Sequence, residues 1–359
     1  MRRLGVGVEL IVYILTANAL RLDGRRLAVE RAEQMVGDNI ERVVINVSGG
    51  KPKSKLVSCE VSIGGHGITE HDMRRLMDPS VLLKDKPEDR EIVHKLPVGF
   101  SVDGNRGVRD PIGMYGETLG VNVHVVTAQT APLRNLNAVV ERCHLHVDAM
   151  VVSPFASALS CLVDDEKKMG AACIDIGGGT TGIALFFDGE LVHTDVIPVG
   201  GNHITNDIAR GLSTPFGHAE RMKNLYGTCL PSASDDAEVI QVPLVGEDDE
   251  TGTVQVPRSM LVGIIRPRVE EIIDLARERL ENAGFAQLAG RVVLTGGTND
   301  WFGYQDGFYV GKPRDVAGDL MLVRYARAHF SAAGARGGEV QSSAGSTTIA
   351  IATEVNSGM

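Results

Sequence analysis

Between residues 173 and 200 an apolar strand, Cys173-Ile174-Asp175-Ile176, runs into Gly177-Gly178-Gly179-Thr180-Thr181, and a second apolar strand follows at once. Asp188-Gly189 separates that strand from a third, a strong signal for a two-residue hairpin. A buried strand, a glycine turn and a rigid hairpin leave few choices of fold. Glycines let the backbone turn tightly and bring N–H groups against an anion, and Thr180 and Thr181 can add hydroxyl donors. Asp175, at the strand end, is placed to orient water around magnesium, a metal that prefers oxygen ligands and keeps several waters. The same residues also suit an ordinary glycine-rich hairpin corner whose Asp caps a turn. A second glycine pair, Gly296-Gly297, follows the apolar strand Val292-Val293-Leu294 and precedes Thr298. Alone it reads as a plain strand-to-helix turn; paired with the first motif it points to a two-domain nucleotide clamp.

The 359 residues suffice for two domains with separate cores. A net charge of −10 argues against a sequence-independent grip on nucleic acid. No stretch reaches the roughly 18 apolar residues of a membrane span. The run Leu10–Leu15 is too short, and Glu9 and Arg21 flank it without a signal-peptide cleavage site. Five cysteines, odd in number and without a C-x-x-C pair, read as buried free thiols in a reducing cytosol. The histidines form no metal-spaced set, and neither a G-x-S-x-G nor a Walker-type phosphate loop is present.

The chain divides by texture. Residues 1–50 end in the β-branched strand 43–47. Residues 51–128 hold short strands (57–63, 92–100, 121–127) around one helix at 69–77, the pattern of a small inserted α+β subdomain. Residues 129–170 return to the first domain, with Pro132 opening a helix, a short strand at 150–152, a helix over 155–163 and a solvated loop at 164–168. Residues 171–298 form the second domain. There Ile204, Ile208 and Leu212 mark one helix, and Gly200-Gly201-Asn202 precedes it, with Asn202 as candidate N-cap. A second helix covers 216–226, with Glu220 and Lys223 three apart. They read as a surface ion pair worth a few tenths of a kcal/mol, unless the helix lines a nucleotide cleft. Two valine-rich runs lie within 231–257, and Pro267 starts the clearest amphipathic helix. Residues 299–359 read as a divergent, weakly ordered tail, with a helix candidate at 318–330.

The strand-glycine-hairpin unit with the later Val293-Leu294-Thr295-Gly296-Gly297 resembles the actin/Hsp70/sugar-kinase superfamily. Val43 to Gly50, Leu133 to Leu136, Val140 to Cys143, Val196 to Asp207, Ala219 to Gly227, Val256 to Arg258 and Ile265 to Arg268 resemble the bacterial cell division family FtsA. The resemblance implies an α/β, actin-like (ribonuclease H-like) two-domain fold with a subdomain inserted after an early strand. It also implies ATP with Mg in the interdomain cleft. By that likeness Asp175 serves the magnesium, Gly177, Gly178, Gly179, Thr180 and Thr181 the phosphates, and Gly201 and Asn202 the sugar. Glu220 and Lys223 lie beside the nucleoside, and Gly296, Gly297 and Thr298 behind the adenosine. Family members bind the tubulin-like FtsZ and other division proteins, polymerise, and tether the ring to the cytoplasmic face of the inner membrane. Strong ATP turnover is not a dependable family trait. The motifs run from about residue 30 to Thr298. The family's first phosphate loop has no counterpart in Gly5 to Leu10, and no basic amphipathic anchor helix is recognisable. The expectation is an FtsA-like adaptor with two atypical ends. A superfamily phosphotransferase of sugar-kinase or phosphatase type, and a nucleotide-free remnant, stand as alternatives.

Overall fold

The computed structural model describes residues 39–78, 88–246, 252–284 and 291–296, with Glu33, Gln34 and Gly37 and the backbone of three short strands at β1 (Leu10–Ile11), β14 (Val323–Tyr325) and β15 (Ile349–Ala350). In the first domain β2 (Arg42–Val47) pairs in parallel with β7 (His146–Val152). Two parallel strands need a long crossover. Here it contains the whole insert and then helix α2 (Thr130–Glu141). Val43, Ile45, Val140, Cys143 and Leu145 close the core between helix and strands.

The insert is an antiparallel sheet in the order β3-β6-β4-β5, from Lys53–Ser62, Thr118–Gln129, Arg90–Val102 and Asn105–Val108. Its alternating residues Leu119, Val121, Val123 and Val125 pack with Ile63, Ile68 and Leu76 of α1 (Glu70–Leu76) and its approach. Two of the polar bridges that join it to its surroundings are built on histidines. The Thr194 amide donates to Ser54 Oγ at 3.3 Å, and Ser54 Oγ meets the fully buried His124 Nε2 at 2.5 Å. The Val152 amide donates to His94 Nε2 at 3.0 Å, and the His94 ring meets Phe155 edge-on at 5.2 Å.

The second domain is built on β8 (Ala171–Ile176), β9 (Thr181–Phe187) and β10 (Glu190–Ile197), an antiparallel meander. Asp188 and Gly189 have φ of 52° and 88°, the paired positive angles that a type I′ hairpin requires. β13 (Arg291–Thr295) pairs in parallel with β8 on its other side. Successive side chains of a strand point to opposite faces. Ala172, Ile174 and Ile176 therefore join Ile204, Ile208, Leu261, Ile265, Val269 and Ile272 in one core, against α5 (Gly201–Gly211) and α7 (Arg258–Asn282). Ala171 and Cys173 face α3 (Ser153–Cys161) on the other side, with Ala158, Ala184 and Phe186.

Several local expectations change. Helix α2 starts at Thr130, so Pro132 is its third residue, still within the turn whose amides lack intrahelical partners. α7 starts at Arg258 and carries Pro267 inside it. Pro267 and Gly263, the residue whose carbonyl loses its bond, are both exposed, so the lost bond falls on the solvent side of the helix, where its cost is least. Leu261, Ile265, Val269, Ile272, Ala276 and Leu280 meanwhile keep one buried stripe through the proline. Residues Asp164–Met169 form a short helix, α4, rather than a loop: three acids in its first turn and two lysines in its last complement the helix dipole. The valine-rich runs pair with each other as β11 (Val239–Pro243) and β12 (Thr253–Pro257). Within 318–330 the described residues Val323–Tyr325 pair with β13 as a strand rather than a helix.

Candidate nucleotide site

Asp175 lies on the α3 face of β8, and Ser157 Oγ donates to its Oδ2 at 2.7 Å. It keeps some open surface, yet protein surrounds it deeply on the remaining sides. That desolvation pushes its carboxyl above the usual range, and the Ser157 bond works against the shift. Among the described residues no Lys or Arg pairs with it.

The glycine loop folds onto the start of α5. Gly177 N–H donates to Thr180 carbonyl at 2.9 Å, Gly201 N–H to Gly177 carbonyl at 2.8 Å, and Asn202 N–H to Gly178 carbonyl at 2.6 Å. Gly200, not Asn202, is the N-cap of α5. The reason is close approach: a Cβ at Gly200 would stand 2.5 Å from Gly177 O and 2.8 Å from Gly178 O. The first amides of α5 thus hold the loop in shape instead of facing outward. Thr181 is also turned in: it is fully buried, and its hydroxyl donates to Val199 carbonyl at 2.8 Å. Of the two hydroxyls expected at an anion, Thr181 is committed to the protein and Thr180 stands at the partly exposed loop.

Glu220 and Lys223, both on α6 (Phe216–Tyr226), are not a surface pair. Lys223 is 2% exposed, and its Nζ donates to Glu220 Oε2 at 2.6 Å, Thr205 Oγ1 at 2.6 Å and Gly201 carbonyl at 3.3 Å. All three ammonium donors are accounted for. Gly201 is a shared node: its amide holds the glycine loop and its carbonyl holds Lys223. On the other side of Asp175, Gly296 has φ of 101°, and a Cβ there would lie 2.4 Å from Ile176 O and 2.7 Å from Asp175 Oδ1. Only glycine fits so close a backbone approach with that angle. Gly297 and Thr298 lie outside the described residues. Asp175, the loop 177–180, Gly201, Asn202, Glu220, Lys223 and Gly296 therefore form one connected set. Ser157 and Thr205 belong to it too, and sequence reading missed both. Ser157 had no signal beyond a helical position, whereas Thr205 lies one helical turn from Gly201.

The profile described as cell division protein FtsA matches residues 172–339, and that of the SHS2 domain inserted in FTSA matches residues 49–127. Cell division protein FtsA of Rhizobium meliloti is 42% identical over 302 residues, covering 82% of this chain and 68% of the relative. The chain belongs to the FtsA family. FtsA of Escherichia coli K12 is 33% identical over 283 residues, covering 75% of this chain and 65% of the relative. Among solved structures, the PilM–PilN type IV pilus biogenesis complex is alike in fold, with a TM-score of 0.53 at 17% identity, over 80% of this chain and 71% of that one. The fold is α/β and actin-like, with the SHS2 subdomain inserted. The family profile continues past Thr298, where the recognisable motifs end, to residue 339.

Proposed function

We propose that this FtsA-family chain is a nucleotide-binding adaptor of cell division, in which ATP with magnesium occupies the cleft beside Asp175. The observation that carries this is a desolvated carboxylate without a basic partner among the described residues, at the mouth of a glycine loop. Such a carboxylate favours a cation, and Mg²⁺ suits a site of one or two carboxylates completed by phosphates and water. Bound magnesium would neutralise phosphate charge. The loop 177–180 would position the phosphates, the start of α5 would lie by the sugar, Glu220 with Lys223 by the nucleoside, and Gly296 to Thr298 behind the base. ATP binding, more than efficient hydrolysis, is the role this reading assigns. Closure of the cleft would favour a shape that self-associates and binds FtsZ and other division proteins. The working place would be the cytoplasmic face of the inner membrane, although no helix among the described residues is long and apolar enough to cross it.

The test is an equilibrium titration with a fluorescent ATP analogue, with and without magnesium, beside Asp175→Ala. Magnesium-dependent binding that weakens in the variant supports the reading. No binding by folded protein makes the chain a nucleotide-free fragment. Co-sedimentation with FtsZ tests the partner, and ATP consumption with a panel of small alcohols and acids tests the phosphotransferase alternative.

A further inference from the structure

Helix α3 follows β7 out of the first domain and lies on β8 of the second. Its start is held on three sides. Ser153 Oγ accepts from Asn46 Nδ2 at 3.0 Å and stands 2.9 Å from Ser48 Oγ, so three buried polar side chains pin its first residue to β2. The Val152 amide, just before it, rests on His94 of the insert. Pro154 presses on β9 so closely that a Cβ at Gly182 would stand 2.9 Å from the proline Cβ. Residues four apart share one helix face. Ser157, one turn beyond Ser153, therefore meets Asp175 from an anchored helix rather than from a loop.

A serine inside a helix ordinarily returns its hydroxyl to the carbonyl four residues back. Ser160 of the same helix does so, donating to Ala156 carbonyl at 3.1 Å. Ser157 does not: its one hydroxyl proton goes to Asp175 Oδ2 at 2.7 Å. The two oxygens of Asp175 thereby become different. Oδ2 is taken. Oδ1, beside Gly296, accepts no hydrogen bond among the described residues and is not sealed from solvent. The last torsion of an aspartate is broad and roughly two-fold, so the strand end alone does not choose between its oxygens. We propose that Ser157 is a positioning residue of the magnesium site, holding the Asp175 carboxylate so that Oδ1 alone is offered to the cation or to its water shell. This role presupposes the magnesium–nucleotide reading of the cleft and names the residue that orders it. One offered oxygen suits a small cation that keeps several waters. The hold also reaches the site from the first domain: β2 grips α3, and α3 grips the carboxylate.

The experiment is an equilibrium titration of the full chain with a fluorescent ATP analogue, in magnesium and in EDTA. Wild type, Ser157→Ala, Asp175→Ala and the double variant are compared, and the readout is the ratio of the two affinities. Residues that hold a metal-ligating carboxylate typically carry about 10- to 100-fold in metal affinity, so Ser157→Ala should lower that ratio by at least about tenfold. On the Asp175→Ala background the serine substitution should leave the ratio where it is, since its partner is gone. A serine with a merely structural role would weaken binding in magnesium and in EDTA alike and keep the ratio, which overturns the proposal. Ser157→Ala that binds in magnesium as tightly as wild type, or more tightly because Oδ2 is freed, overturns it too and leaves the magnesium–nucleotide reading standing. Wild-type binding that ignores both magnesium and the Asp175 substitution overturns the two together. Alanine is the stronger helix former and Ser157 is partly exposed, so α3 should fold in the variant, which far-ultraviolet circular dichroism checks. Ser157→Thr and Ser157→Val, alike in shape and different in the hydroxyl, read the same ratio a second way. The threonine should exceed the valine, and equal ratios overturn the proposal.

Discussion

Acid should undo the seat of the inserted subdomain, and the magnitude follows from two imidazoles. Burial holds His94 and His124 at a pKa of about 4, against 6.5 for an exposed histidine. His193, close to His124, is lowered by burial as well, with Asp195 opposing the shift. His94 Nε2 accepts the Val152 amide, a bond only the neutral ring can make. Between pH 6.5 and 4 the unfolded chain binds the protons that the folded chain refuses, so stability rises with pH and is lost as pH falls. Integrating from pH 8 to pH 5, each of the two rings costs about 2 kcal/mol, and to pH 6 only about 0.8 kcal/mol. Together they remove about 4 kcal/mol at pH 5 from a total that is typically about 5–15 kcal/mol. Urea unfolding followed by far-ultraviolet circular dichroism, at pH 8 and pH 5, measures this. His94→Gln and His124→Gln place an amide that does not titrate near the same hydrogen-bonding position. Each should shrink the pH 8-to-5 loss by about 2 kcal/mol, at some cost in absolute stability. A double variant whose pH profile overlays that of wild type would refute the reasoning.

Three further outcomes are expected. Lys223→Met should destabilise by about 3 kcal/mol in urea unfolding, because it leaves the Glu220 carboxylate without its buried ammonium; the lower end of the range applies since Glu220 reaches solvent and keeps the Thr205 hydroxyl as a donor. Gly296→Ala should cost more than about 2 kcal/mol, read as a lowered melting temperature, because its Cβ meets the Ile176 carbonyl and its φ is strained. Gly189→Ala should cost about 1 kcal/mol, since the hairpin turn needs φ of 88° there and nothing else crowds it closely.

What could be read in the sequence was local. The Asp188-Gly189 turn, the glycine loop and the helix of Phe216–Tyr226 each carry their signal within a few residues. The burial of Lys223 could not be read that way. Thr205 and Gly201, which complete its shell, sit on another helix, and three-residue spacing from Glu220 looks the same on a surface. Thr181 misled for a similar reason, because Val199 reaches its hydroxyl only once the hairpin has closed. Pro267 looked like a helix start because its penalty is visible in sequence, while the six buried residues that outweigh it act through tertiary packing.

The span from Val152 to Ser157 has a consequence for the insert. At one end its backbone amide rests on His94; within two turns its hydroxyl rests on Asp175. A short rigid rod thus has one foot on the SHS2 subdomain and the other in the cleft. If an occupant of the cleft tilts that rod, anything that grips the insert feels the tilt. Thermodynamic reciprocity makes the converse obligatory: a partner that favours one seating of the insert alters the cleft's affinity by the same factor.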